Sequence, residues 1–362
     1  MSATKKLVKN FLKNRVGIKA PVFASFELTR RCNSKCSFCP IGNEDPNKRT
    51  KFEELSTEEA KRVFDEFASV GIFAASYLGG EPLLREDLYE IADHAHSLDI
   101  LNQTVTNGIL LEKKAYDLTR SFDVVAVSLD ATNAEDYKEI RNVDAFEKVV
   151  DGIHAAVDLM EENKCEVLVN TVICKQNLEK VPEVIDYAVS LGVAGVMVDF
   201  ATFHDYWKNI VGKDSKYDPE ASDWRKKKEK AKELVKKLIK MKEEGVPIYT
   251  SRSYLKTFLT ENFYYRCHPH IFVCVQRDGK VAIPCWDSKV TKFYDIVHQH
   301  KLKDLLKSKE VKELREKVKD CRECYMHCIV EPSKIIGEPL FHLRDLFEWV
   351  RLAYKRKKSL GI

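Results

Sequence analysis

Three cysteines, Cys32, Cys36 and Cys39, stand at CxxxCxxC spacing within eight residues, and no fourth ligand lies nearby. Three thiolates hold three corners of a cubane iron–sulfur cluster and leave one iron without a protein ligand. An open coordination position points to chemistry, because structural metal sites are closed. Zinc is the competing ion, but a structural zinc takes four protein ligands, often as CxxC pairs. A second group follows near the C-terminus: Cys267-x6-Cys274-x10-Cys285, then Cys321-x2-Cys324-x3-Cys328. Nine of the eleven cysteines fall in these two groups, which argues for two metal sites rather than disulfides in a reducing compartment. At the second group zinc competes more strongly, because a hairpin next to a CxxC pair is ribbon-like. Cys165 and Cys174 read as small buried residues.

The elements that must position these groups alternate. Strand candidates are 22–29, 73–78, 101–106, 123–129, 166–173 and 195–200, with helices between them. The first helix opens with the capping box Ser56-x-x-Glu59 and stops at Gly71. Others run through Val149, Ile153, Ala156 and Val157, and from Val181 to Leu191. Six βα units in series predict a parallel sheet with right-handed crossovers. The expected fold is α/β, a partial (β/α)6 TIM-like barrel with a small Cys-rich α+β domain at the C-terminus. A doubly wound Rossmann sheet is the rival, but no GxGxxG turn follows the first strand. Asp278-Gly279 predicts a hairpin between Phe272–Gln276 and Lys280–Ile283, and an amphipathic helix is expected around Leu302–Val318. The expected segments are 1–21, a basic amphipathic helix; 22–205, the barrel; 206–260, an irregular linker and a basic helix capped by Asp223; 261–335, the Cys-rich domain; and 336–362, a second basic amphipathic helix.

In such a barrel, functional residues gather at the C-terminal ends of the strands. The first end carries the cysteines. The second carries Gly79, Gly80, Glu81 and Pro82, where glycines let the backbone approach a ligand closely. The third ends in Thr104, Thr106, Asn107 and Gly108, which also fits a plain polar turn. At the fourth, alternation puts Ser128 and Asp130 on one face, able to hydrogen-bond a ribose or a carboxylate. Asn170 on the fifth faces the same way as Leu168 and Val172, as a ligand contact or a satisfied core amide.

The segment Cys32-Asn33-Ser34-Lys35-Cys36-Ser37-Phe38-Cys39 resembles the CxxxCxΦC signature of radical S-adenosylmethionine (SAM) enzymes, with Phe38 at the aromatic position. The resemblance extends over most of the chain. It implies a [4Fe–4S] cluster on Cys32, Cys36 and Cys39 whose open iron chelates SAM, with Phe38 near the adenine. Gly79-Gly80-Glu81-Pro82 resembles the family's GGEP motif at the SAM amino group, and Thr106-Asn107-Gly108 its TNG segment. Ser128 and Asp130 match a Ser-x-Asp position that touches SAM. Arg141 lies where an arginine often meets the SAM carboxylate, though a surface arginine is the plainer reading. The C-terminal cysteines resemble a twitch or SPASM auxiliary-cluster domain. With six cysteines instead of seven and a shortened spacing, they imply at least one auxiliary [4Fe–4S] cluster, its four ligands unassigned.

The reaction so implied is reductive cleavage of SAM to a 5′-deoxyadenosyl radical. That radical abstracts hydrogen from an unactivated carbon or adds to an alkene, with an external ferredoxin- or flavodoxin-like electron donor. Composition adds limits. Apolar residues make up 44% and charged residues 32%, so the chain is globular, and a net charge of +4 demands no nucleic-acid partner. No apolar run approaches the roughly 20 residues that span a bilayer, and no signal-peptide pattern opens the sequence. A cytoplasmic, low-oxygen setting is therefore expected. At the N-terminus, Leu7, Val8, Phe11 and Leu12 share a helical face flanked by Lys5, Lys6, Lys9 and Lys13. At the C-terminus, Phe341, Leu346, Phe347, Val350, Ala353 and Tyr354 precede Lys355-Arg356-Lys357-Lys358. Two such ends suggest association with a membrane surface and a lipid or isoprenoid substrate. Helices simply packed on the barrel compete with that reading. A peptide-modifying maturase is the alternative function, although only about 20 residues precede the barrel, too few for a leader-binding domain. A non-catalytic iron–sulfur or zinc protein is the third reading, and it would give the residues around Gly80 and Ser128 no task.

Overall fold

A computed structural model describes residues 2–44, 54–202, 217, 219–260, 265–286, 288–319, 321, 324 and 326–337. Six βα units build the expected barrel. The strands are β1 (Phe23–Thr29), β2 (Ala74–Gly79), β3 (Leu101–Thr106), β4 (Val124–Ser128), β5 (Glu166–Ile173) and β6 (Gly195–Phe200). Each pairs in parallel with the next, in chain order, so the sheet curls as an open partial barrel. The connecting helices are α2 (Thr57–Val70), α3 (Leu88–Ser97), α4 (Leu111–Ser121), α5 (Ala134–Arg141), α6 (Phe146–Val157) and α7 (Val181–Ser190). All five residues of β4 are buried, as a parallel strand covered on both faces requires.

Alternation along the strands sorts the core into two layers. Ala24, Phe26, Ala75, Tyr77, Val125, Val127, Val167 and Val169 face the helices and join the main core. Val124, Ala126 and Leu168 pack with Val105, Met197 and Tyr249 in the smaller interior layer. Helix α2 shows why its end of the sheet is rigid. Ser56 and Glu59 close the predicted capping box, and Gly71 ends the helix in the left-handed region at φ 81°. Its Phe64 then stacks on Tyr77 at 5.0 Å and meets Phe26 edge-on at 6.1 Å.

The Cys-rich segment is not set apart from the barrel. Strand β7 (Phe272–Val275) pairs in parallel with β1, Ser25 opposite Cys274, and the antiparallel strands β8 (Lys280–Ile283) and β9 (Lys292–Asp295) follow. Among the described residues one sheet runs in the order β6-β5-β4-β3-β2-β1-β7-β8-β9. Its strands bury their apolar faces by extending the barrel's edge. The helix expected around Leu302–Val318 is also divided, into a turn at Leu302–Leu305 and α10 (Lys309–Lys317), because Ser308 caps a new helix by accepting from the Val311 amide. The basic helix appears as α8 (Lys228–Glu243) after a 3-10 turn at Trp224–Lys227, followed by α9 (Arg252–Thr257). Helix α11 (His327–Gly337) is the last described element. Residues 203–216 of the expected linker and the amphipathic stretch 341–358 lie outside the described residues.

Helix α1 (Ala3–Arg15) covers the N-terminal end of the barrel. Asn10, 1% exposed, donates through Nδ2 to the carbonyls of Pro21, Val70 and Gly71, and Lys6 donates to those of Leu98 and Asp99. Leu7 and Phe11 pack on Val22, Phe73 and Ile271. The single apolar face expected from the sequence is therefore split: Leu7 and Phe11 point inward, while Val8 and Leu12 point to solvent. Polar Asn10 and Lys6 take the buried positions because three loops end there with unpaired carbonyls. Replacing Asn10 by alanine would strand those carbonyls. A loss of about 2 kcal/mol in denaturant-measured stability is expected, with cluster content unchanged.

Candidate active site

The three cysteines sit on the loop that leaves the C-terminal end of β1. The loop has little regular structure, so its shape comes from what holds it. Within the loop, Asn43 donates to the carbonyls of Cys36 and Cys39, and Ser34 Oγ lies 3.3 Å from Cys36 Sγ. From α5, the Ile140 carbonyl accepts from the Ser37 amide, the Arg141 carbonyl accepts from Ser34 Oγ, and Asn142 donates to the Lys35 carbonyl. From β3, Asn107 Nδ2 donates to Asn33 Oδ1 at 2.7 Å and lies 3.9 Å from Cys32 Sγ. The root of the loop is fixed by an ionic chain: Arg30 pairs with Glu27 at 2.8 Å and Glu44 at 3.1 Å, and Arg277 of the β7–β8 turn also holds Glu27.

Gly79 and Gly80 work through this loop. A side chain on Gly79, whose φ is 138°, would meet the Thr29 carbonyl at 2.1 Å, and one on Gly80 would meet that of Arg31 at 2.2 Å. The backbone of the β2 end bonds there directly, Gly80 N to Thr29 O and Glu81 N to Arg31 O. The close approach these glycines permit is thus to the cysteine loop itself. Glu81, 1% exposed, accepts from Thr106 Oγ1, the Asn107 amide and the Leu83 amide. Burial raises its pKa although all three bonds favour the carboxylate. Glu81 and Thr106 therefore fix the β3 end and with it Asn107.

Arg141 is buried, at 5% exposure, and not a surface residue. Its Nε donates to Asp130 Oδ2 at 2.5 Å, its Nη1 lies 3.6 Å from Cys36 Sγ, and its guanidinium lies 5.3 Å from the centre of the Phe38 ring. Burial opposes the charge, but Asp130 and Cys36 more than offset it and the pKa rises. Asp130 is fully buried, and its other oxygen accepts from the Val172 amide. Its carboxylate is thus occupied in holding Arg141, where a direct contact with SAM had been expected. The Nη2 of Arg141 and the Oδ1 of Asn170 are buried without a hydrogen-bond partner. Ser128 stands opposite Asn170 across β4 and β5, on the interior face. An orphaned donor beside Cys36 and an orphaned acceptor on the interior face of β5 fit a ligand carrying a carboxylate and a polar group.

The thiols fit a cationic centre. Burial, then the neighbouring thiols, raises Cys32 to about 12, and Cys39 is raised for the same reasons. Three close-set, largely sequestered sulfurs that repel one another as thiolates favour a multiply charged iron–sulfur body. The second group is equally crowded. Cys267 is pushed up to about 12 by burial and by Cys285 and Cys321; Cys274 also reaches about 12; and Cys328 is raised by burial, then by Cys274 and Cys324. All six are unpaired as disulfides, as are Cys165 and Cys174, both buried in the core. Among the described residues no three Cys, His, Asp or Glu side chains converge as ligands of one single ion.

Some positions carried no signal in the sequence: Asn33 and Ser34 are tied to Asn107 and Arg141, distant in the chain, and Asn43 to the carbonyls of Cys36 and Cys39. Asp199 left a visible trace as the lone charge in an apolar strand. It stands with Met197 on the interior face of β6, hydrogen-bonds Asn170 and lies 3.7 Å from His327 Nδ1. His327 Nε2 meets Glu331 at 2.8 Å, so α11 reaches into the barrel mouth through a polar contact.

Residues 26–188 match the model of the radical SAM superfamily, and residues 211–346 match a domain of unknown function, DUF3463. This first stretch is a radical SAM domain. Such a domain works with a [4Fe–4S] cluster and SAM, and its superfamily is one of enzymes. The AdoMet-dependent heme synthase of Methanosarcina barkeri is 33% identical over 50% of this chain and 51% of its own length. A probable GTP 3′,8-cyclase of Saccharolobus islandicus is 36% identical over 46% of this chain and 52% of its own. The chain thus spans about half the length of these relatives. In three dimensions it is similar to Streptococcus suis SuiB bound to S-adenosylmethionine, with TM-score 0.62, 18% identity, and 85% and 70% of the two chains covered. It is also similar to anSMEcpe with bound AdoMet, with TM-score 0.61, 19% identity, and 93% and 100% covered. These likenesses establish the radical SAM fold. Removing the Arg141 charge, as in Arg141→Gln, is expected to weaken SAM binding about 10- to 100-fold. Binding is scored per cluster-loaded molecule, because loss of the buried pair also loosens the cysteine loop, with equilibrium dialysis of labelled SAM as the measurement.

Proposed function

We propose that the chain is a radical SAM enzyme that attacks an unactivated carbon of a lipid or isoprenoid chain at a membrane surface. The unpartnered Nη2 of the buried Arg141, whose Nη1 lies against Cys36 on the three-cysteine loop, carries the catalytic part of this reading. When bound, the cluster and SAM supply a 5′-deoxyadenosyl radical, which takes a hydrogen atom or adds to an alkene. The cysteines would hold three irons. Arg141, aimed by Asp130, would meet the SAM carboxylate, and the backbone around Gly79, Gly80 and Glu81 would face its amino group. Phe38 would lie against the adenine, and Thr106, Asn107, Ser128 and Asn170 would line the rest of the pocket. Four of Cys267, Cys274, Cys285, Cys321, Cys324 and Cys328 would hold an auxiliary [4Fe–4S] cluster. With Cys328 next to His327 and near Asp199, such a cluster would suit contact with substrate or electron transfer to it. An external ferredoxin- or flavodoxin-like protein would supply the electron.

The membrane-surface part rests on the apolar residues that α1 presents to solvent; because α1 closes the barrel end opposite the cysteine loop, a lipid substrate would leave the bilayer to reach Cys32, Cys36 and Cys39. A peptide substrate is the second reading, because SuiB has been solved bound to its precursor peptide SuiA on a similar fold. The names of the curated relatives, a heme synthase and a GTP cyclase, show that one domain type serves unlike substrates. A non-catalytic role would leave the orphaned Arg141 donor and the glycine-built loop without purpose.

Anaerobic assays of 5′-deoxyadenosine with a strong reductant separate these readings. Stimulation by a total lipid extract and not by a soluble peptide fraction is expected. The reverse pattern would favour the maturase, and no 5′-deoxyadenosine from cluster-loaded protein would defeat the radical reading. Alanine at Cys32, Cys36 and Cys39 together should abolish product, while alanine at Cys267 and Cys285 should leave SAM cleavage measurable and remove substrate turnover.

A further inference from the structure

We propose that the outward face of α1 is a docking surface for an anionic lipid bilayer. This deepens the membrane-surface reading and rests on it only for what the enzyme acts upon. Val8, Leu12, Val16 and Ile18 are 51%, 57%, 73% and 56% exposed. Among the described residues the other large exposed apolar side chains, Tyr116 and Phe293, lie on other elements. Thr4, Val8, Leu12 and Val16 follow one another at i, i+4 spacing and line a single shallow groove along the helix. The inward face is already occupied by Leu7, Asn10 and Phe11, so the helix cannot roll to hide the stripe.

Charge selects the occupant. Residues 1–26 hold five lysines and one arginine and no acidic residue. Lys5 and Lys9 are exposed beside the stripe, and Lys303 and Lys307 of a different element lie close enough to Lys13 to oppose its charge. Glu316 lies near Lys19 at the edge of this field. An apolar stripe bordered by cations from two elements matches acyl chains beneath anionic headgroups. A second copy of this chain would bring the same cations against it. Residues 338–362 hold six Lys or Arg against three Asp or Glu, so that segment is repelled as well.

Helix α1 closes the N-terminal end of the barrel, while the cysteines stand at the C-terminal end. A bilayer under α1 therefore lies at the end opposite the cysteine loop and leaves that loop open to a soluble electron donor.

Full-length, cluster-loaded protein would be sedimented with vesicles of phosphatidylcholine alone and of phosphatidylcholine with phosphatidylglycerol, neither containing substrate. Binding only to the anionic vesicles, falling with added salt, is expected. Val8→Glu with Leu12→Glu should weaken it about tenfold or more, and Lys5→Gln, Lys9→Gln and Lys13→Gln together should remove most of the salt dependence. Iron content and thermal midpoint verify folding of each variant, while protein lacking residues 338–362 should still bind. Equal binding by wild type and the Val8/Leu12 variant would overturn the proposal, as would no binding at all. Conversion of a dimer to monomer by that variant, without loss of vesicle binding, would reassign the face to self-association. Vesicle binding without lipid-stimulated turnover would support the docking face and defeat the lipid-substrate reading alone.

Discussion

The buried pair of Arg141 and Asp130 is the interaction on which the site depends. A charged guanidinium at the bottom of a barrel mouth is costly unless it is paired. Asp130 supplies that pairing and is itself anchored by the Val172 amide, so the charge is fixed relative to β4 and β5. Through Arg141 the same fixed point reaches Cys36 and Phe38, on a loop with almost no backbone ladder of its own. Asp130 is in this sense a positioning residue. It spends both oxygens on protein partners, and the group left to meet a ligand is the unpaired Nη2 beyond it.

A second constraint comes from the close packing of strand ends. β1 and β2 approach so tightly at Thr29, Arg31, Gly79 and Gly80 that no side chain fits between them. Glu81 then ties the next strand end to the same corner, and Asn107 carries the connection back to Asn33 and Cys32. The cysteine loop is therefore held from three sides: α5, the β2 end and the β3 end. That arrangement fixes the short segment that carries all three sulfurs. The two ends of the barrel differ in kind. One end gathers thiols and orphaned polar groups, and the other is closed by α1, whose inner side satisfies loop carbonyls and whose outer side is apolar and cationic.

Much of this was legible in the sequence. Period-2 apolar runs between capping boxes and glycine stops gave all six barrel strands to within a residue, because local pattern and tertiary burial agree there. The cysteine spacing, the glycine pair and the residues Thr106, Asn107, Ser128 and Asn170 were each placed at the correct strand end. What remained hidden depends on partners distant in the chain. Whether Asp130 faces a ligand or an arginine is decided by Arg141 and Val172, and whether Leu7 or Val8 is buried is decided by Phe73 and Ile271. The docking of β7 on β1 was likewise invisible, since a four-residue strand carries no mark of its partner.

The most direct test of the account is electron paramagnetic resonance of the reduced cluster, recorded with and without SAM. Wild-type protein is expected to show a [4Fe–4S] signal that shifts when SAM is added, and Arg141→Gln should show the same signal with the shift displaced to higher SAM concentration. A SAM-dependent shift that survives loss of Cys32, Cys36 and Cys39, or a wild-type spectrum in which no cluster signal responds to SAM, would contradict the assignment of these residues to a catalytic centre.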